Sequence, residues 1–237
     1  MITTKEKGAT MRDLKDVELV KPNWLGDRWV GIQHFDLVRA IHEELDKREI
    51  ETVDESWFIS GRFDGKLNGK INLRLPDKEP TEGTMFSLGV MHSNLGDHAV
   101  KFAVGAHVFC CANGMVTGDY TLKRKHTKGV VLEDIISTGI ETYITKVDEI
   151  PLVMEGMKEK ELQTQEVNNV LMEAGRQKLM PWSRIGQVDA EYRKPTFEEH
   201  NEKTAWGLYN AFTYVVQKCP AHQQITSMNK FRELVLN

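Results

Sequence analysis

From Val100 to Cys110 the apolar side chains recur at every second position, through Phe102, Val104, Ala106 and Val108. A period of two is that of a strand with one face on a core. The interleaved Lys101, Ala103, Gly105, His107, Phe109 and Cys111 would line the other face. Asn113-Gly114, a pair that tolerates positive φ, is expected to end the strand in a turn. Met85–His92 reads as a partner strand, joined through residues 93–97 into an antiparallel hairpin. Upstream, Glu51–Gly61 and Gly69–Pro76 read as two more strands flanking the turn-rich Asp64–Gly69. In the second of these, Ile71, Leu73 and Leu75 alternate with Asn72 and Arg74.

Elsewhere the apolar period is helical. Phe35, Val38, Ile41 and Leu45 predict a helix over His34–Arg48, with its charged residues on the outer face. After residue 130 helices take over. Val131–Leu162 carries Leu132, Ile136, Ile140, Ile144, Val147, Met154 and Met157 at helical spacing, and Pro151 is expected to kink or split it. Gln165–Leu179, Asn201–Lys218 and Gln223–Leu236 continue the pattern, while Arg184–Pro195 reads as a loop. Residues 1–20 read as polar and loosely held. Lys21–Ile32 reads as an irregular entry that packs the indoles of Trp24 and Trp29 on the core. The order predicts a single α+β domain: an extended segment (1–33), a helix plus antiparallel sheet (34–120) and a helical part (130–237). The sheet is a meander of about four strands, preceded by one helix and covered by three to four C-terminal helices.

The 237 residues are 40% apolar and 28% charged, a globular composition, and no apolar run approaches the roughly 18 residues that span a bilayer. The first residues, MITTKEKGATMRD, lack the apolar core of a signal peptide. Of three cysteines, Cys110 and Cys111 are adjacent on opposite strand faces and Cys219 is remote, which suits a reducing compartment. Cytoplasmic residence without membrane association is the expectation.

Charge changes this picture locally. The net charge is −4, yet Ser60–Arg74 sums to +3 and Thr121–Gly129 to +4, leaving −11 in the remainder. Arg62, Lys66, Lys70 and Arg74 supply the first basic stretch, and Lys123, Arg124, Lys125 and Lys128 the second. Trp57, Phe58, Phe63 and Tyr120 lie close by in sequence. Basic side chains beside aromatic platforms are the means by which proteins hold single-stranded nucleic acid, whereas an acidic body suits a protein partner.

Other chemistries lack a pattern. There is no Gly-x-Gly-x-x-Gly after a strand and no P-loop, so no nucleotide cofactor is expected. His92, His98, His107, Cys110 and Cys111 do not form the two closely spaced ligand pairs of a structural zinc site, and no metal is expected. No nucleophile–base spacing selects a catalytic pair. No cofactor is expected, and the chain reads as a non-enzyme.

The run HAVKFAVGAHVFCCANGMV, preceded by HSNLGD and followed by AWGLYNAFTYVVQ, resembles the phage/plasmid-like family carrying domain of unknown function 932. The matching residues are His92-Ser93-Asn94 with Gly96-Asp97, then Cys111, Asn113 and Gly114, then Trp206, Tyr209, Asn210 and Ala211. The resemblance implies a mobile-element gene working in the bacterial host cytoplasm. The helix–meander–helix order is also similar in topology to single-strand-annealing recombinases. Cys111, Asn113, Gly114, Trp206, Tyr209 and Asn210 read as structural. Together these readings predict a DNA-binding accessory protein that prefers single strands, self-assembles, and serves annealing or replication. Arg62, Lys66, Lys70, Arg74, Lys101, Lys123, Arg124, Lys125 and Lys128 are its expected phosphate contacts. The alternative is a protein-binding inhibitor of a host defence or host enzyme.

Overall fold

The structure is a computed structural model, and it describes residues 7–27, 29–80, 84–96, 100–108, 113–118 and 131–237. It is α+β. Strands β2 (Glu51–Ser60), β3 (Lys66–Arg74), β4 (Thr84–Ser93), β5 (Lys101–Val108) and β6 (Asn113–Gly118) lie side by side in chain order, with the short β1 (Lys7–Ala9) on the outer side of β2. The β1–β2, β2–β3 and β3–β4 pairs are antiparallel. Helices α1 (Met11–Asp16) and α2 (His34–Lys47) precede the meander. Among the described residues six follow it: α3 (Leu132–Lys146), α4 (Glu149–Glu159), α5 (Thr164–Arg176), α6 (Trp182–Arg193), α7 (Ala205–Val216) and α8 (Ala221–Leu236). Among the described residues, no helix is long and apolar enough to cross a membrane.

The chain forms two compact units, the first from Met1–Glu79, Phe86–Val104 and Asp119–Val147, the second from Pro80–Met85, Gly105–Gly118 and Asp148–Asn237. In the first, register puts Trp57, Ile59, Leu67, Ile71, Leu73, Leu88 and Val90 on one sheet face, all buried. Trp57 lies over Gly69, where an added Cβ would fall 2.1 Å from the indole. α2 buries Leu37, Val38, Ile41 and Leu45 and packs against α3, which buries Ile135, Ile136, Ile140 and Tyr143. Arg48 ties the two helices, donating from Nε to Glu44 (2.9 Å) and from Nη2 to Ser137 Oγ (3.0 Å). Burial would raise the Glu44 carboxyl, but the hydrogen bonds from Arg48, Ser137 and Lys47 outweigh it and hold the group below its usual range.

The second unit is built around α7, which is buried nearly all round, as its apolar sequence AWGLYNAFTYVV requires. α4, α6 and α8 pack on it. Phe212 stacks on Phe231 of α8 at 3.8 Å between ring centres. Thr204 caps the helix through the Gly207 N–H, and a Cβ at Gly207 would lie 2.1 Å from the Glu202 carbonyl oxygen. Lys160 donates to the carbonyls of Val235 and Leu236 and so satisfies the open end of α8.

Four expectations are corrected. Residues 7–16, within the stretch expected to be loosely held, are structured: β1 pairs with β2, and α1 carries a Thr10–Asp13 capping box with Leu14 fully buried. The Val131–Leu162 stretch breaks at Val147-Asp148 instead of at Pro151, which sits in the first turn of α4, where its missing N–H costs no helix bond. Arg184–Pro195 is largely helical, because α6 buries Ile185, Val188 and Tyr192 against α7 although only these three of its twelve residues are buried. Asn113 and Gly114 open β6 and do not form the expected turn. Residues 109–112, with Cys110 and Cys111, lie outside the described residues.

Candidate nucleic-acid interface

The predicted phosphate contacts of β3 share one sheet face, since Lys66, Lys70 and Arg74 are even-numbered in a strand of period two. The eight steps from Lys66 to Arg74 span about 26 Å. They therefore form a row and not a compact patch, and their environments differ. Arg74 is paired with Glu51 across the β2–β3 ladder. Lys70 is partly buried beside Asp54. Burial pulls its ammonium below the usual range and the carboxylate only partly restores it. Asp54 also accepts two hydrogen bonds from Asn72, whose carbonyl accepts from Ser87 (2.7 Å), so this part of the face is internally satisfied. Lys101 opens β5 and is partly buried. Lys123, Arg124, Lys125 and Lys128, with Tyr120, lie outside the described residues.

The exposed charge is at the other end of the row, in the short 3-10 turn Arg62–Asp64 that joins β2 to β3. Arg62 stands 4.8 Å from the centre of the Phe63 ring and 5.6 Å from that of Trp24. Phe63 is 45% exposed and Trp24 52% exposed. Among the described residues no carboxylate pairs with Arg62. A guanidinium lying between two rings keeps its charge and its donors toward solvent while the rings satisfy its flat face. Trp57, by contrast, is a core residue, and Phe58 is partly exposed on β2 beside Gly8 of β1. Trp24 had been expected on the core. Its exposure comes from an anchor at the indole edge, where Nε1 donates to the Leu95 carbonyl (3.1 Å) and leaves the ring face outward.

The turn pays in strain. Phe63 has φ 59° and Asp64 φ 50°, a left-handed pair in which neither residue is glycine. Such positions cost about 1–2 kcal/mol per residue and persist only when neighbours impose them. Here the neighbours are visible. The Gly65 N–H donates to the Arg62 carbonyl (3.1 Å), and the Asn94 N–H donates to the Gly65 carbonyl (2.7 Å). His34 Nε2 lies 2.9 Å from the Asp64 carbonyl, and Lys7 Nζ is 3.3 Å from the Asp64 carboxylate.

A carbonyl only accepts, so His34 carries its proton on Nε2 and in the neutral ring offers Nδ1 as an acceptor. His92 Nδ1 is 3.0 Å from it, and the network therefore assigns His92 as the Nδ1–H donor. Both rings are buried and meet edge to face. The motif turn continues this support. Asn94 accepts from the Ile32 N–H (3.1 Å) and donates to the Ile32 carbonyl (2.8 Å), closing on the entry segment as a strand would. Gly96, at φ 85°, faces Leu25, which a Cβ would meet at 2.5 Å. Thus His92, Asn94, Leu95 and Gly96 fasten Trp24, Leu25, Ile32 and His34 to the sheet and hold Trp24 beside Arg62. The roles of Lys7, Trp24 and His34 escaped the sequence reading, because nothing local marks them.

The late motif has a structural role. Trp206 and Tyr209 stack at 6.3 Å within α7, and buried Asn210 donates to the Trp206 carbonyl (3.0 Å). Among the described residues, no group of three or more His, Cys, Asp or Glu gathers as a metal site.

Fold and cluster together define an α+β chain that presents, at a strained sheet turn, two aromatic rings and a guanidinium that no carboxylate among the described residues pairs. The chain belongs to the family defined by domain of unknown function (DUF932), whose model matches residues 26–234. No curated protein and no solved structure matches it.

Proposed function

We propose that this chain is a non-enzymatic accessory protein of a phage or plasmid that binds single-stranded DNA in the host cytoplasm. The observation that carries the reading is the Arg62–Phe63–Trp24 cluster: exposed rings beside a cation that pairs with no carboxylate among the described residues. Bases stack on aromatic faces irrespective of sequence, and a guanidinium binds the phosphate between them. A duplex hides its base faces, so such a cluster favours single strands. Lys66, one strand position from the turn, extends the positive charge along β3. The strained turn supports the reading, since a backbone held in a costly conformation by several partners is typical of sites.

The test is fluorescence anisotropy with labelled single- and double-stranded oligonucleotides at low and moderate salt. We expect strand-selective binding that weakens with salt, and Arg62→Ala should lower the salt slope by about one phosphate contact. Absence of binding at low salt would refute the reading and leave the inhibition of a host protein as the alternative.

A further inference from the structure

Phe63 is also part of the wall of a cavity of about 510 Å³ in the first unit. That size lies within the roughly 300–1,000 Å³ of small-ligand sites. Ile59, Val17 and Val20 give the cavity apolar walls beside the ring. Its polar groups are carboxylates, opposed by a single lysine. Two of these carboxylates are engaged: Asp13 accepts from the Thr10 N–H (2.7 Å) and hydroxyl (2.6 Å), and Asp64 pairs with Lys7. Asp16 and Glu18 have no such partner among the described residues, so their oxygens remain open to an incoming donor.

We infer that this cavity receives a single unstacked base next to Phe63 and selects guanine. The inference rests on the single-strand reading above and adds base preference to it. An ionised carboxylate only accepts, and its two oxygens match two adjacent N–H donors. Guanine presents such a pair, N1–H and the N2 amino group, on its Watson–Crick edge. Adenine and cytosine present one amino group beside a ring acceptor. Thymine presents one N–H between two carbonyl oxygens, which the carboxylate repels. The base enters as a neutral plane against Phe63 and the valines, while its phosphate stays with Arg62, 4.8 Å from the same ring.

The experiment uses the full chain and a thymidine oligonucleotide about twelve residues long, unmodified or carrying one central guanine, adenine, cytosine or inosine. The guanine-containing strand should bind about tenfold more tightly than all-thymidine, as hydrogen bonds to a charged group allow. Inosine, which lacks the N2 amino group, should lose most of that gain. Asp16→Asn combined with Glu18→Gln should abolish the preference while leaving affinity for the all-thymidine strand intact. Both residues are exposed, so the variant keeps the fold. Strands that bind equally whatever the central base would overturn the pocket but leave single-strand binding standing. A guanine preference that survives in the double variant would also overturn it. Failure of every strand to bind would overturn both readings together.

Discussion

Position 63 offers a test in which backbone and side chain can be separated. With φ 59° and ψ 27°, Phe63 occupies the left-handed region. A residue with a Cβ loses about 1–2 kcal/mol there, whereas glycine loses almost nothing. Phe63→Ala and Phe63→Gly both remove the ring, so the packing lost with it cancels in their comparison. Glycine's greater freedom in the unfolded chain returns about 0.4–1 kcal/mol in favour of alanine. The difference leaves the glycine variant more stable by about 0.5–1 kcal/mol, the reverse of the order at an ordinary position. For a chain of this size that is a rise in Tm of roughly 2 °C over the alanine variant. Urea midpoints followed by tryptophan fluorescence would measure it. In the DNA assay the two variants should fail alike, each losing about 1–3 kcal/mol of stacking, or roughly 5- to 150-fold in affinity. An alanine variant at least as stable as the glycine variant would refute the left-handed turn. Unchanged affinity in both would refute Phe63 as a platform.

Other outcomes follow from the same geometry. Asn94→Ala removes both hydrogen bonds to Ile32 and should cost about 1–3 kcal/mol, read as a lower urea midpoint, with Trp24 fluorescence shifted as its loop loosens. Gly207→Ala sets a Cβ against the Glu202 carbonyl and should destabilise by about 1–3 kcal/mol, whereas Gly186→Ala, in open space, should not. His200 is buried, and desolvation lowers its pKa below the usual value, with Glu199 and Glu191 opposing only in part. Over the acid range the unfolded chain therefore binds more protons at this site than the folded one. Stability falls as pH drops below about 6.5 and levels off below the folded pKa. His200→Gln should flatten that part of the stability–pH curve, and an unchanged curve would refute the assignment.

The local pattern of apolar residues determined much of this fold. Period two marked β3 and β5, and period 3.6 marked α2, α5, α7 and α8, because the apolar residues that recur at those spacings are the ones each element buries. Where one face is thinly apolar the record fails: α6 depends on three residues packing against α7, and α1 on one buried leucine and a capping box. The basic residues were legible as a stretch, but only register and pairing decided that Arg74 and Lys70 meet carboxylates while Arg62 meets none among the described residues. The cluster itself joins residues 24, 34, 62–64 and 92–96, and its left-handed turn opposes the preference of its own phenylalanine. Hydrogen bonds between segments far apart in sequence overcome that preference, and no single segment encodes them. The chain could announce which residue types were available; only the tertiary structure chose which of them face solvent together.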